Sequence, residues 1–177
     1  RMDKQTAIYS CISHQYPKDG YHILWLILRL QLSGYRQYRK MRIFMKIALI
    51  NENSQAAKNE MIYASLKKVA ESKGHTVDNY GMYSADDKAQ LTYVQNGILA
   101  AILLNSGAAD FVVTGCGTGE GAMLALNSFP NVLCGHVVDP SDAYMFMQIN
   151  DGNAIALPFA KGFGWGAELN LKYTFEQ

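Results

Sequence analysis

From Met45 onward, apolar and polar positions fall into two kinds of block. Short apolar runs stand at Lys46–Ile50, Thr76–Tyr80, Phe111–Thr114, Val132–Val138 and Ala154–Leu157. Runs of this length, rich in β-branched residues, read as strands covered on both faces. Between the first two, Met61, Ile62, Leu66, Val69 and Ala70 recur at helical spacing, in a segment that Asn53 or Ser54 can cap and Gly74 ends. Further helices are predicted over Thr92–Asn105, stopped by Gly107, and over Ala122–Phe129. Another starts at Asp139-Pro140-Ser141-Asp142 and runs to about Asn150, and a last one leaves the Gly-rich loop Lys161–Gly166 and is still running at Gln177. Strand–helix alternation implies the α/β class: a doubly wound, Rossmann-like, five-stranded parallel sheet with helices on both faces. Ligands then bind at the carboxyl ends of the strands.

Residues 1–44 do not continue this pattern. Their one apolar run, Ile23–Leu32, is interrupted by Arg29 and is about half the ~20 residues that a membrane span needs. Arg36, Arg39, Lys40 and Arg42 follow that run, whereas a signal peptide carries its basic residues first. Residues 1–44 are expected to be an N-terminal extension outside the fold, with residues 45–177 forming the α/β domain. An interfacial amphipathic helix is the other reading of the extension.

Composition narrows the function classes. A chain of 177 residues, 49% of them apolar, suffices for one domain with a proper core. A net charge of +1 supplies no field for nucleic acid, and no membrane partner is expected. Cys11, Cys116 and Cys134 are odd in number and far apart, unlike a disulfide framework, so a reducing cytoplasm is the expected compartment. His75 and His136, the two histidines of the domain, have neither metal-ligand nor dyad spacing, and no metal or cofactor is expected.

Chemistry concentrates in Phe111–Phe129, a strand, a glycine turn with one cysteine, and a helix. Gly115, Gly117, Gly119 and Gly121 alternate with Cys116, Thr118 and Glu120. So many glycines bring backbone N–H groups close to a ligand, and a helix start adds unpaired N–H groups of its own. The strict dinucleotide fingerprint fails because its third glycine would fall on Glu120, whose charge would also repel a pyrophosphate. An isolated cysteine is more often a packing residue. Cys116, between two glycines at a strand's carboxyl end beside a helix start, is instead placed as a reactive one. Cys134, within an apolar strand, is expected only to pack.

These residues resemble the ribose-5-phosphate isomerase B and galactose-6-phosphate isomerase family. The resemblance runs from Met45 to the end, with Gly115-Cys116-Gly117-Thr118-Gly119-Glu120-Gly121 its strongest motif, joined by Asn127, Pro140 and Asn150-Asp151-Gly152-Asn153. It implies a homodimeric aldose–ketose isomerase without a cofactor. Cys116 would be the base that moves a proton between adjacent carbons, and Thr118 would be linked to ring opening. The substrate-binding residues would be Glu52, Asn53, Tyr93, Gly117, Gly119, Glu120, Gly121, Asn150 and Lys161. An oxyanion such as an enediolate is best held by fixed N–H donors of this kind.

The departures from the family's pattern are informative. Its Asp-His pair is Glu52-Asn53 here, the histidine before its Asn-Asp pair is Ile149, and its phosphate-binding arginines fall at Leu133 and near Ala160 and Lys161. No arginine follows Arg42, yet a phosphate dianion is usually held by forked donors. With these departures the chain resembles a divergent branch of the family, similar to isomerases that act on uronates released from unsaturated glycosaminoglycan fragments. Such a substrate carries one carboxylate, which Lys161 or backbone amides would hold. Chains of that branch are longer, so this one is expected to lack a carboxyl-terminal part. The competing readings are a sugar-phosphate isomerase and a sugar- or nucleotide-binding module without turnover. The apolar helix Gly97–Ala109 adds its own expectation of a homodimer, since a helix apolar nearly all round needs cover on several sides.

Overall fold

The apolar run that begins at Phe111 forms the centre of the sheet. A computed structural model describes residues 44–177, so the expectation for residues 1–44 falls, Phe44 apart, outside the described residues. The strands are β1 (Lys46–Ile50), β2 (Thr76–Asn79), β3 (Phe111–Cys116), β4 (Cys134–His136) and β5 (Ala154–Pro158). All pair in parallel, in the order β2-β1-β3-β5-β4. The helices are α1 (Asn59–Ser72), α2 (Tyr93–Ser106), α3 (Glu120–Asn127), α4 (Pro140–Met145) and α5 (Ala167–Phe175). The doubly wound parallel α/β sheet read from the sequence is the observed fold.

Strand side chains alternate between two buried layers, as a period of two requires. Leu49, Val113, Ile155 and Leu157 face α1, α4 and α5, where they meet Ile62, Leu66, Ala143, Leu171 and Phe159. Ala48, Ile50, Val112, Ala154 and Ala156 face α2 and α3, where they meet Ala100, Leu103, Ala122 and Leu126. The second layer is built from small residues, and its helices come close together. A methyl group on Gly97 of α2 would stand 2.8 Å from the Ala125 carbonyl oxygen of α3. Among the described residues the outer side of α2 stays uncovered: Val94, Ile98 and Ile102, at four-residue spacing, are exposed, as is Leu124 of α3. Among the described residues no helix is long and apolar enough to cross a membrane.

Several boundaries differ from the sequence reading, each for a local reason. Glu52, and neither Asn53 nor Ser54, supplies the first cap: it accepts from Ser54 N–H and opens a 3₁₀ turn over Asn53–Lys58 before α1 begins. β4 is shorter than Val132–Val138 because the Asn153 side chain takes the place of ladder bonds, accepting from Leu133 N–H at 2.8 Å and donating to the Asn131 carbonyl at 2.7 Å. α3 starts two residues early and stops at Asn127, whose side chain exchanges two 2.9 Å bonds with the backbone of Cys134. α4, capped by Asp139, widens into a π turn over Phe146–Asn150. The last helix ends at Phe175 and does not run on to Gln177.

The chain leaves β1 toward β2 and then returns to the other side of β1 as β3. A crevice opens beyond the carboxyl ends of neighbouring strands at such a reversal, and it is the usual ligand site of open α/β sheets.

Candidate active site

Cys116 is the last residue of β3, in register with Pro158 of β5. It is buried, and its Sγ accepts a hydrogen bond from Gly119 N–H at 3.2 Å. Two backbone bonds clamp the glycine loop to the exit of β5: Phe159 N–H to the Cys116 carbonyl at 2.9 Å and Ala160 N–H to the Gly117 carbonyl at 3.0 Å. His136, half-buried at the end of β4, holds the loop from the other side, its Nε2 lying 2.8 Å from the Thr118 carbonyl oxygen. A carbonyl only accepts, so this contact needs the proton on Nε2. Gly119 then turns with φ +83°, a region open to glycine, and α3 begins. A side chain there would also strike the His136 ring and the Leu157 backbone, both at 2.9 Å. The first N–H groups of α3 have no partner within the helix. They follow directly on Gly119, whose N–H bonds the sulfur, and groups of this kind can receive an anionic oxygen.

The other expected residues take varied places. Thr118 is exposed on the loop and Glu120 on the first turn of α3, and Gly121 lies under the Tyr93 ring, 3.4 Å from where its side chain would be. Glu52 and Asn53 follow β1 at the same edge. Asn53 is exposed, and its N–H bonds the Leu91 carbonyl at 2.9 Å. Glu52 is buried with both carboxylate oxygens engaged by Ser54, one by its N–H at 3.0 Å and one by its hydroxyl. Lys161 is exposed beyond β5, on the wall of a concavity of about 300 Å³ that Pro158, Phe159, Phe163 and Trp165 also line. Asn150 is not among them. It is exposed and precedes the start of β5, at the amino edge of the sheet, so within one chain it lies a strand's length from Cys116.

Four further polar groups emerge only from the structure. His136 is brought to the loop because β5 runs between β3 and β4, an order with no local signal. Asn96, fully buried in α2, donates to the Ile50 carbonyl at 2.9 Å and to the Thr114 hydroxyl at 3.2 Å, pinning α2 to the β1–β3 reversal. Asn51 is 1% exposed at the end of β1, and its amide has no partner among the described residues. Lys58, at the end of the 3₁₀ turn, donates to Gln55 Oε1 at 2.7 Å and to the Phe159 carbonyl at 2.6 Å. Its only sequence signal was being the one basic residue near that edge of α1. Among the described residues no N–H donates to the Cys134 sulfur, unlike that of Cys116; burial pushes the Cys134 thiol up from 9.0 to about 12. That is the packing role expected of it.

Residues 47–170 match a family model described as ribose/galactose isomerase. Among solved structures, a 4-deoxy-L-threo-5-hexosulose-uronate ketol-isomerase complexed with a tartrate is 71% identical, with a TM-score of 0.73 over 75% of this chain and 62% of that one. A ribose-5-phosphate isomerase from Vibrio parahaemolyticus is 59% identical, with the same TM-score of 0.73 and the same coverage, 75% and 62%. A ribose 5-phosphate isomerase from Thermotoga maritima, 25% identical, matches with a TM-score of 0.59 over 74% of this chain and 85% of its own. The chain thus spans 62% of the length of the first two proteins. No match was found among curated proteins.

Proposed function

The chain belongs to the ribose/galactose isomerase family, and on that premise we propose that it interconverts the aldose and ketose forms of a non-phosphorylated acidic sugar, such as an unsaturated-uronate-derived ketouronate. The observation that carries this reading is the buried Cys116 sulfur, fixed by Gly119 N–H at 3.2 Å beside the start of α3. The Cys116 thiolate takes the proton from the carbon next to the carbonyl, and the electron pair moves onto the carbonyl oxygen to give an enediolate. The N–H groups of the Gly117–Gly121 loop stabilise that oxyanion as it forms. The thiol then returns the proton to the neighbouring carbon, while a proton passes between the two oxygens. No electron leaves the sugar, so the step balances with protons alone. Thr118, exposed at the tip of the loop, serves ring opening, and the Tyr93 ring over Gly121 bounds the bound sugar.

An acidic and unphosphorylated substrate is supported by the lack of any arginine after Arg42. The uronate ketol-isomerase at 71% identity, which carries tartrate, a small hydroxy acid, supports it too. Glu52 and Asn53 border the crevice from β1. Asn150, at the opposite edge of the sheet, would join a site only from a second copy. With the exposed stripe Val94, Ile98 and Ile102, this supports a homodimer. Turnover of ketouronates against ribose 5-phosphate and galactose 6-phosphate by the full chain tests the reading. The expected result is turnover of the acids alone; preference for a phosphate ester would overturn it.

A further inference from the structure

The carboxyl edge of the sheet carries a cation whose charge no carboxylate among the described residues answers. Lys58 is half-buried, and both of its hydrogen-bond acceptors, Gln55 Oε1 and the Phe159 carbonyl, are neutral. Its Nζ also lies 4.7 Å from the centre of the Phe163 ring. Among the described residues the ion pairs are Lys67–Glu71 and Lys172–Glu176, and none involves Lys58. An ammonium has three N–H donors and two are used, so one donor and a whole charge are left for a ligand. A partly desolvated cation without a counter-charge is costly, and an arriving anion offsets that cost.

Its position ties this cation to the thiol. Phe159 accepts from Lys58 through its carbonyl and donates through its N–H to the Cys116 carbonyl. The ammonium therefore stands one residue away from the strand end that carries Cys116. Phe159, whose carbonyl Lys58 bonds, and Phe163, whose ring it faces, line the concavity of about 300 Å³ beyond β5, next to Lys58 but not lined by it; that size is at the lower end of small-ligand sites. Lys161 and Lys88, the other lysines on loops at this edge, are exposed. Only Lys58 is held in one place. A single ammonium, lacking the forked donors of arginine, suits a monoanionic carboxylate better than a phosphate dianion.

We propose that Lys58 holds the carboxylate of the acidic sugar and sets the preference for acids over neutral sugars. The inference rests on the acidic-sugar reading above, and binding tests it independently of turnover. Tartrate, D-glucuronate and neutral D-glucuronamide are titrated calorimetrically into the full chain as wild type, Lys58→Met, Lys58→Arg and Lys88→Met. Loss of a hydrogen bond to a charged group should weaken both acids by about tenfold to a hundredfold in Lys58→Met, leave the amide unchanged and be largely rescued in Lys58→Arg. Lys88→Met, which removes the same charge from an exposed loop, should bind as wild type. A merely structural clip would weaken acid and amide alike. Should Lys58→Met lose the fold, Lys58→Gln keeps an N–H for the Phe159 carbonyl and removes the charge alone. Wild-type tartrate affinity in a folded Lys58→Met or Lys58→Gln protein, or no acid binding by the wild type, overturns the assignment. Lys58-dependent tartrate binding by a protein that isomerises no acid overturns the acidic-sugar isomerase reading and leaves Lys58 as an anion site.

Discussion

Gly119→Ala perturbs the loop that holds the thiol, and the chain contains its own control. Gly107, which ends α2, has φ +72°, and among the described residues no atom beyond its own chain neighbours comes within 4 Å of where a side chain would stand. Gly107→Ala therefore measures the left-handed strain by itself, roughly 1–2 kcal/mol. Gly119 has a similar φ of +83°, but its added carbon would lie 2.9 Å from the His136 ring and 2.9 Å from the Leu157 backbone. The ring can swing aside, at the loss of its bond to the Thr118 carbonyl, about 1 kcal/mol. Leu157 cannot retreat, being buried in β5 with strands on both sides. The loop must move instead, and the Gly119 N–H leaves the Cys116 sulfur. We expect Gly119→Ala to cost about 2–4 kcal/mol in all, at least ~1 kcal/mol more than Gly107→Ala. Urea unfolding of the three proteins at one concentration reads the difference, and turnover reads the loop. Gly107→Ala should keep wild-type turnover while Gly119→Ala loses most of it. Equal destabilisation of the two variants, with Gly119→Ala fully active, would refute the packing argument.

Other outcomes follow from particular side chains. Ile98→Glu places a charge in the middle of the exposed stripe on α2 and should convert a dimer at micromolar concentration to a monomer with little loss of fold; a wild type that sediments as a monomer would contradict the assembly. Cys134 is raised to about 12 by burial, so its thiol stays protonated in the folded state while the unfolded chain releases a proton above about 9. Stability should therefore fall between about pH 9 and pH 12, and Cys134→Ala should remove that share of the fall. An unchanged pH dependence in Cys134→Ala would show that the thiol is not buried as described.

How much the sequence revealed depended on how local each cause was. The strands of the sheet were legible because Phe111–Cys116 and its neighbours are apolar on both faces, a pattern contained in a few residues. The glycine loop was legible because alternating glycines around one cysteine require a tight turn wherever they occur. His136 was not, because only the insertion of β5 between β3 and β4 brings it to Thr118. Glu52 looked available for a ligand, yet the 3₁₀ turn folds Ser54 back onto its carboxylate and the same turn delivers Lys58 to Phe159. Asn150 was grouped with Cys116 by resemblance alone, and strand direction sets them at opposite edges. The apolar helix around Ile98 hid Asn96, whose buried amide fastens that helix to the sheet.

Whether Cys116 is the base is tested most directly by solvent deuterium entering carbon. The full-length wild type, given a ketouronate in deuterium oxide, should place deuterium on the carbon that receives the proton. Cys116→Ser, close in size and checked for intact tartrate binding, should lose at least ~10²-fold in that exchange, the lower end of a general base's contribution. Near-normal exchange by Cys116→Ser would contradict the assignment and turn attention to Glu52 or Glu120 as the group that moves the proton.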